Sequence, residues 1–176
     1  MHSPDEILRE WFSDPKRWWN KDAAFDQYLR QTYGHDVEAA LRGELDAWSA
    51  TPRGALALVI LLDQMTRNIY RDTRRMYAGD EKAVKTCLEM IDRSEDASLS
   101  KTERQFLYMP LMHSEDRTVQ ERSLQKFAEL SDNLDYARRH ADIVFRFGRF
   151  PHRNAILGRE STPEEIEFLR SPGSRF

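Results

Sequence analysis

The densest chemistry in the sequence lies in three separated stretches. In "YMPLMHSED", residues 108–116, His113 is followed closely by Ser114, Glu115 and Asp116. An imidazole titrates near neutral pH, so His113 can serve as a general base, with Glu115 or Asp116 as the carboxylate that orients it. The structural alternative gives Ser114 the role of helix cap and places the two acids at the positive end of the helix that follows. That alternative leaves His113 unexplained. A serine nucleophile is not expected, because no G-x-S-x-G elbow surrounds Ser114. His113 with Asp116 is the nearest approach to a metal-ligand spacing, and H-E-x-x-H is absent, so neither metal nor cofactor is expected.

The second stretch is "DQMTRNIYR", residues 63–71. Asp63, Arg67 and Arg71 recur at four-residue steps on one helical stripe, with Gln64 and Asn68 on the next. They follow "ALALVILL", which is apolar on every side and implies burial on every side. If the helix stays central, these polar groups need internal partners. If it ends at the surface, they form a solvated end with an Asp63–Arg67 pair.

The third stretch, "RFGRFPHRNAILGR", carries Arg146, Arg149, His152, Arg153, Asn154 and Arg159 among phenylalanines. Residues 138–159 hold six arginines against the single Asp142. Such guanidinium forks suit either an outside anion or internal carboxylates. Phe147 and Phe150 read as core anchors, which places Arg146, Arg149 and Arg153 near the interior and in need of carboxylates or carbonyls. Asp63, Glu115 and Asp116 are the expected partners, and Arg138–Asp142–Arg146 could form a surface ladder. Arg149 is expected to be buried and paired, with His152 and Arg153 nearer a cleft mouth.

The elements that position these residues read as helices throughout. Ser3-Pro4-Asp5-Glu6, Thr51-Pro52 and Thr162-Pro163-Glu164-Glu165 each set a capping hydroxyl before a proline at the first helical position. The first and third complete a capping box, and Ser100-Lys101-Thr102-Glu103 repeats that pattern. Helices are expected near 4–12, 21–32, 36–44, 52–71, 80–93, 101–109, 115–131 and 134–149, with short pieces near 152–157 and 163–170. Pro110 should end or kink the helix before it. Val84, Cys87, Leu88 and Ile91 share a face, which makes Cys87 a core thiol. Short connections imply antiparallel neighbours, so the fold class is all-α in a single domain spanning residues 1–176.

Composition narrows the function classes. The chain has 176 residues, 40% hydrophobic and 32% charged, a mixture that folds rather than stays disordered. A net charge of −3 offers polyanions no general attraction, so no nucleic-acid partner is expected. The longest apolar run, Ala55–Leu62, is too short to span a membrane, and Asp5 and Glu6 break a signal-peptide pattern. With one cysteine there is no intrachain disulfide, and a cytoplasmic location is expected. The 21 arginines against 6 lysines fit a high-GC genome or a demand for bidentate forks.

"LALVILLDQMTRNIYR", "FLYMPLMHSED" and "RFGRFPHRNAILGRESTPEE" together resemble the bacterial domain-of-unknown-function family 924. "ILREWF" and "ALRGELDAW" extend the resemblance over nearly the whole chain. Met65-Thr66 and Leu111 depart from the usual Phe-Pro and Phe of the family, and both leave the charged positions intact. The resemblance implies a tetratricopeptide-like superhelix of stacked helix pairs and supplies no catalytic residues. The expected function is a binding module that recognises a protein segment or small anionic ligand through a polar cleft joining the three motifs. The cleft would use Asp63, Arg67, Asn68, Arg146, Arg149, His152, Arg153 and Asn154. The rival is a hydrolase- or lyase-type enzyme with His113 as base, Glu115 or Asp116 as orienter and an arginine anion clamp. A third reading makes the motifs a satisfied structural network.

Overall fold

Capping and burial explain where the helices of the first unit begin. The computed structural model describes residues 1–174, and no strand occurs among them. They divide into two compact units, Met1–Pro110 and a second from Leu111 onward. In the first unit, α1 (Pro4–Phe12) starts at the Ser3–Glu6 capping box and buries Ile7, Leu8 and Trp11. Helix α2 (Ala23–Arg42) is capped by the Asp22 carboxylate. It runs unbroken through Gly34, where two helices were expected, because Leu29, Tyr33, Val37 and Ala40 continue one buried face.

Thr51 caps α3 (Pro52–Val59), which passes into a π-helical turn at Ile60–Met65 and then α4 (Thr66–Ile69). Every residue from Ala55 to Leu62 is essentially inaccessible, as the all-round apolar run demands. Helix α3 packs on α1 and on α5 (Asp80–Asp92), and α4 packs on α2. Cys87 lies in the core as expected. The approach of the π turn to the start of α5 requires glycine at position 79, since a Cβ there would stand 2.2 Å from the Leu62 carbonyl oxygen. Helix α6 (Lys101–His113) continues through Pro110 instead of ending before it. Burial of Leu111 and Met112 outweighs the backbone bond that proline cannot make.

In the second unit, α7 (Arg117–Leu130) packs along α8 (Leu134–Phe147). Asp116, rather than Ser114, caps α7, accepting from the Thr118 and Val119 N–H groups, while Ser114 accepts from the Asp116 N–H. Helix α8 ends at Gly148 in the left-handed region, and Phe150 then inserts beside Ile143 and Val144. A 3-10 turn (Pro151–Arg153), α9 (Asn154–Leu157) and α10 (Pro163–Leu169), entered through the Thr162–Glu165 capping box, complete the unit. No helix among the described residues is long and apolar enough to cross a membrane.

Candidate functional site

The polar end of the α3–α4 segment is buried, not solvated. Asp63 is fully inaccessible and lies in the π turn, a geometry that recurs at functional positions. Gln64 donates to its carboxylate. Arg67 stands 3.1 Å from the Asp63 Oδ1 and donates to its backbone carbonyl, and it forms a fork with Asp80 at 2.9 and 3.1 Å. Burial works against the Arg67 charge, but Asp63 and Asp80 more than offset it and raise its pKa. One turn on, Arg71 holds Asp26 by a second fork at 2.6 and 2.9 Å, and Asn68 donates to the same carboxylate at 2.7 Å. Burial raises the Asp26 pKa, while Arg71 and Asn68 lower it to a net value below the ordinary carboxylate range.

The second unit closes an arginine–carboxylate latch around Phe150. Glu115 receives both nitrogens of Arg159 at 2.7 and 2.9 Å and the Phe150 N–H at 2.7 Å. Burial pushes its pKa up, but Arg159 and the Phe150 amide outweigh that and hold the carboxyl below its usual range. Arg159 also donates to the Asn154 Oδ1 and the Phe150 carbonyl. Asn154, buried, donates in turn to Ser161 and Glu165. Arg149 grips Glu165 with two nitrogens at 2.7 and 2.8 Å and reaches the Glu160 carbonyl. The Arg149 fork, helped by the Thr162 amide, pushes the Glu165 carboxyl down to about 2. Arg146, more exposed, pairs with Glu164 at 2.8 Å while lying 4.7 Å over Phe147. Such bidentate, charge-assisted bonds fix orientation as well as adding energy.

Two expectations about this segment are corrected. Arg149 is half-buried and its partner is Glu165, not Asp63, Glu115 or Asp116. Arg153 is the buried arginine: its guanidinium lies 4.5 Å over Phe150 and donates to the His113 carbonyl. Phe150 carries the chain inward and Pro151 turns it, so Arg153 packs against the ring while Arg149 stays half-buried. The expected surface ladder gives way as well, since Arg138 pairs with Asp135 and Arg146 with Glu164.

Around Phe150 gather His140, 5.6 Å away, and His152, also 5.6 Å away, with His113 5.9 Å from His140. His140 is buried and its Nδ1 contacts the Tyr136 carbonyl at 2.8 Å. Burial first, then the like charge of His113, Arg153 and His152, lowers its pKa to about 3. For the acid–base reading, both proposed orienters hold other partners. Glu115 is gripped by Arg159, and Asp116 is bound by Thr118 and the α7 amides. No group of three or more His, Cys, Asp or Glu stands where it could hold a metal ion among the described residues. The sequence-selected residues therefore fall into two sets. Asp63, Arg67 and Asn68 belong to the first unit, and His113 to Asn154 belong to the second.

Two depressions of the first unit are lined by other residues. One, of about 670 Å³, is walled by Leu8, Phe12 and Trp18 and edged by Arg9, Arg53 and Glu103. The other, of about 330 Å³, lies across α1 between Arg9, His2 and Tyr33.

A family model, described as a bacterial protein of unknown function, DUF924, matches residues 7–173. The chain belongs to that family. A solved family-like structure, that of the protein of unknown function ATU0120 from Agrobacterium tumefaciens, is 43% identical over 94% of this chain and 96% of that one, with a TM-score of 0.90. No curated protein matches the chain significantly.

Within this DUF924 chain the sequence reading missed Asp26, Asp80, Glu165 and His140 as members of the networks. Glu165 was visible as the closing residue of a capping box, a position already committed to the chain turn that Arg149 closes. Asp26 and Asp80 carry no such signal, since each is one acid among many on its helix. The groove walls were hidden because the paired Trp18-Trp19 and the Pro15 turn look like ordinary surface until α1 and α6 set their spacing.

Proposed function

We propose that this DUF924 chain is a binding module for a protein segment, and that it docks the segment in the open groove of the first unit. The observation that carries the reading is an aromatic-walled depression whose walls are held in place. Trp18 and Phe12 are half-buried, each packed against the fully buried Phe106 at 4.7 and 5.4 Å, and the Trp18 Nε1–H donates to the Trp11 carbonyl. Trp19 stacks on Phe106 while 60% exposed. Rigid aromatic walls lower the ordering cost of binding, and a volume of about 670 Å³ has room for more than one side chain of a bound segment.

The charged motifs then act as latches, which revises the location of the expected cleft. The pairing of Arg146, Arg149 and Arg159 with carboxylates supports this role and disfavours a phosphate-tracking surface. The tetratricopeptide-like stacking and cytoplasmic location belong to the same proposal. Selection from a random-peptide display library, repeated on Phe12→Ala and Trp18→Ala, tests it. Enriched peptides should lose binding to both variants while circular dichroism stays unchanged. Failure to enrich any peptide, or equal binding to the variants, would sink the reading.

A further inference from the structure

The charged side chains around the groove do not balance, and the imbalance indicates what kind of segment it takes. Together the two depressions are lined by the carboxylates of Asp5, Glu6, Glu10 and Glu103 and by the guanidiniums of Arg9 and Arg53. Arg53 is shared, since it meets Asp5 at 2.9 Å and Glu103 at 3.1 Å. Just outside the lining Arg17 is shared in the same way, 3.5 Å from Glu10 and 3.4 Å from Asp14. Arg9, on the ridge common to both depressions, acts electrostatically on Glu6. His2, which lines the smaller depression, is held by Asp36 at 2.8 Å. Each cation at this surface is thus already matched, and the charge left over is negative.

Helix α1 sets the distance between that charge and the apolar wall. Asp5, Leu8 and Phe12 follow one stripe of the helix and line the same depression. Seven residues of helical rise separate the Asp5 carboxylate from the Phe12 ring by about 10 Å along the axis, the span of roughly three residues of an extended chain. Aromatic walls also attract cations, and in the same unit Arg17 already lies 5.1 Å over the Phe25 ring.

Resting on the segment-binding reading above, we infer that the groove selects basic segments, ones that bring a Lys or Arg to Asp5 and Glu103 and lodge a large apolar side chain between Phe12 and Trp18. The apolar side chain supplies the desolvated anchor, and the cation sets direction and register along α1.

The test is a charge reversal read by the same random-peptide library. Against the wild-type chain, the enriched peptides should share a Lys or Arg about three residues from a Trp, Phe or Leu. These peptides should bind Asp5→Lys about ten-fold more weakly or worse. Glu81→Lys makes the same change of net charge at an exposed position on the first turn of α5, outside the lining, and should bind them as wild type does. Asp5 is exposed, so its variant should keep the circular dichroism of the wild type. An acidic or neutral wild-type consensus, undiminished binding to Asp5→Lys, or an equal loss in Glu81→Lys overturns the inference. If peptides still depend on Phe12 and Trp18 in that case, the groove reading survives and the basic preference falls alone. If no peptide is enriched at all, both fall.

Discussion

Mild acid should destabilise the second unit through His140. The ring is buried, faces His113, His152 and Arg153, and titrates near 3 in the folded protein against an ordinary 6.5. In the unfolded chain it takes up a proton near 6.5, so between those values only the unfolded state binds that proton. Stability is therefore complete above about 6.5 and falls as the pH drops toward 3. Between about pH 7.5 and about pH 5 the loss amounts to roughly 2 kcal/mol, nearly one proton over one and a half pH units. That figure depends on the unfolded value and hardly at all on the folded one, provided the latter stays well below 5. Glu165, Glu115 and Asp26 all have lowered values, so their contributions fade as the pH falls through the ordinary carboxylate range and below it, and leave most of this window clear.

The perturbation is His140→Asn, whose amide nitrogen keeps a donor near the Tyr136 carbonyl and cannot take a proton. Urea melts followed by circular dichroism, for both proteins at both pH values, supply the readout. The variant should be less stable at every pH because of the void it leaves. Wild type should nevertheless lose about 2 kcal/mol more than the variant on acidification, the other four histidines cancelling between them. Parallel losses in the two proteins would refute the argument, because they would mean that His140 takes up its proton without unfolding.

Three further outcomes follow from the packing and the latches. Glu165→Gln should cost about 2 kcal/mol at neutral pH, less than a fully buried pair because Arg149 can rehydrate, and the difference should shrink as pH falls from 4.5 toward about 2. Arg159→Ala should cost about 2–3 kcal/mol by urea melt, since it strips Glu115 of both guanidinium bonds and frees Asn154. Gly79→Ala should destabilise by about 2 kcal/mol or more because of the Leu62 carbonyl, whereas Gly34→Ala, with open space around its Cβ, should stabilise by about 0.5–1 kcal/mol. Equal melting points for the two alanine variants would contradict the packing account.

The caps made much of the fold readable in advance. Ser3, Thr51 and Thr162 each start a helix where a hydroxyl precedes proline, because that chemistry is local. The break expected between 32 and 36 and the stop at Pro110 misled for the opposite reason: local interruptions are overridden when the flanking residues continue a buried face. The charged motifs were legible as groups needing partners, and the partners were not. Arg149 and Arg159 lie only ten residues apart, yet one takes Glu165 and the other Glu115. That choice is set by the chain reversal at Gly158 and by the insertion of Phe150, neither of which has a side-chain period. The groove was illegible because its walls come from α1, the Pro15 turn and α6, and no single stretch carries the pattern.

The π turn at Ile60–Met65 makes length, rather than side-chain identity, the vulnerable property of the central helix. A bond from residue i to i+5 accommodates one residue more than an α-helical turn, so everything after it is rotated by about 100° from its place in an uninterrupted helix. Arg67, Asn68 and Arg71 aim at Asp80 and Asp26 only in that rotated phase. Exchanging one apolar residue for another inside the turn leaves the phase intact. Removing a single residue would let the helix relax into a better hydrogen-bonded α form and swing every downstream arginine off its carboxylate at once. The segment is thus a mechanical phase-setter, tolerant of substitution and intolerant of deletion.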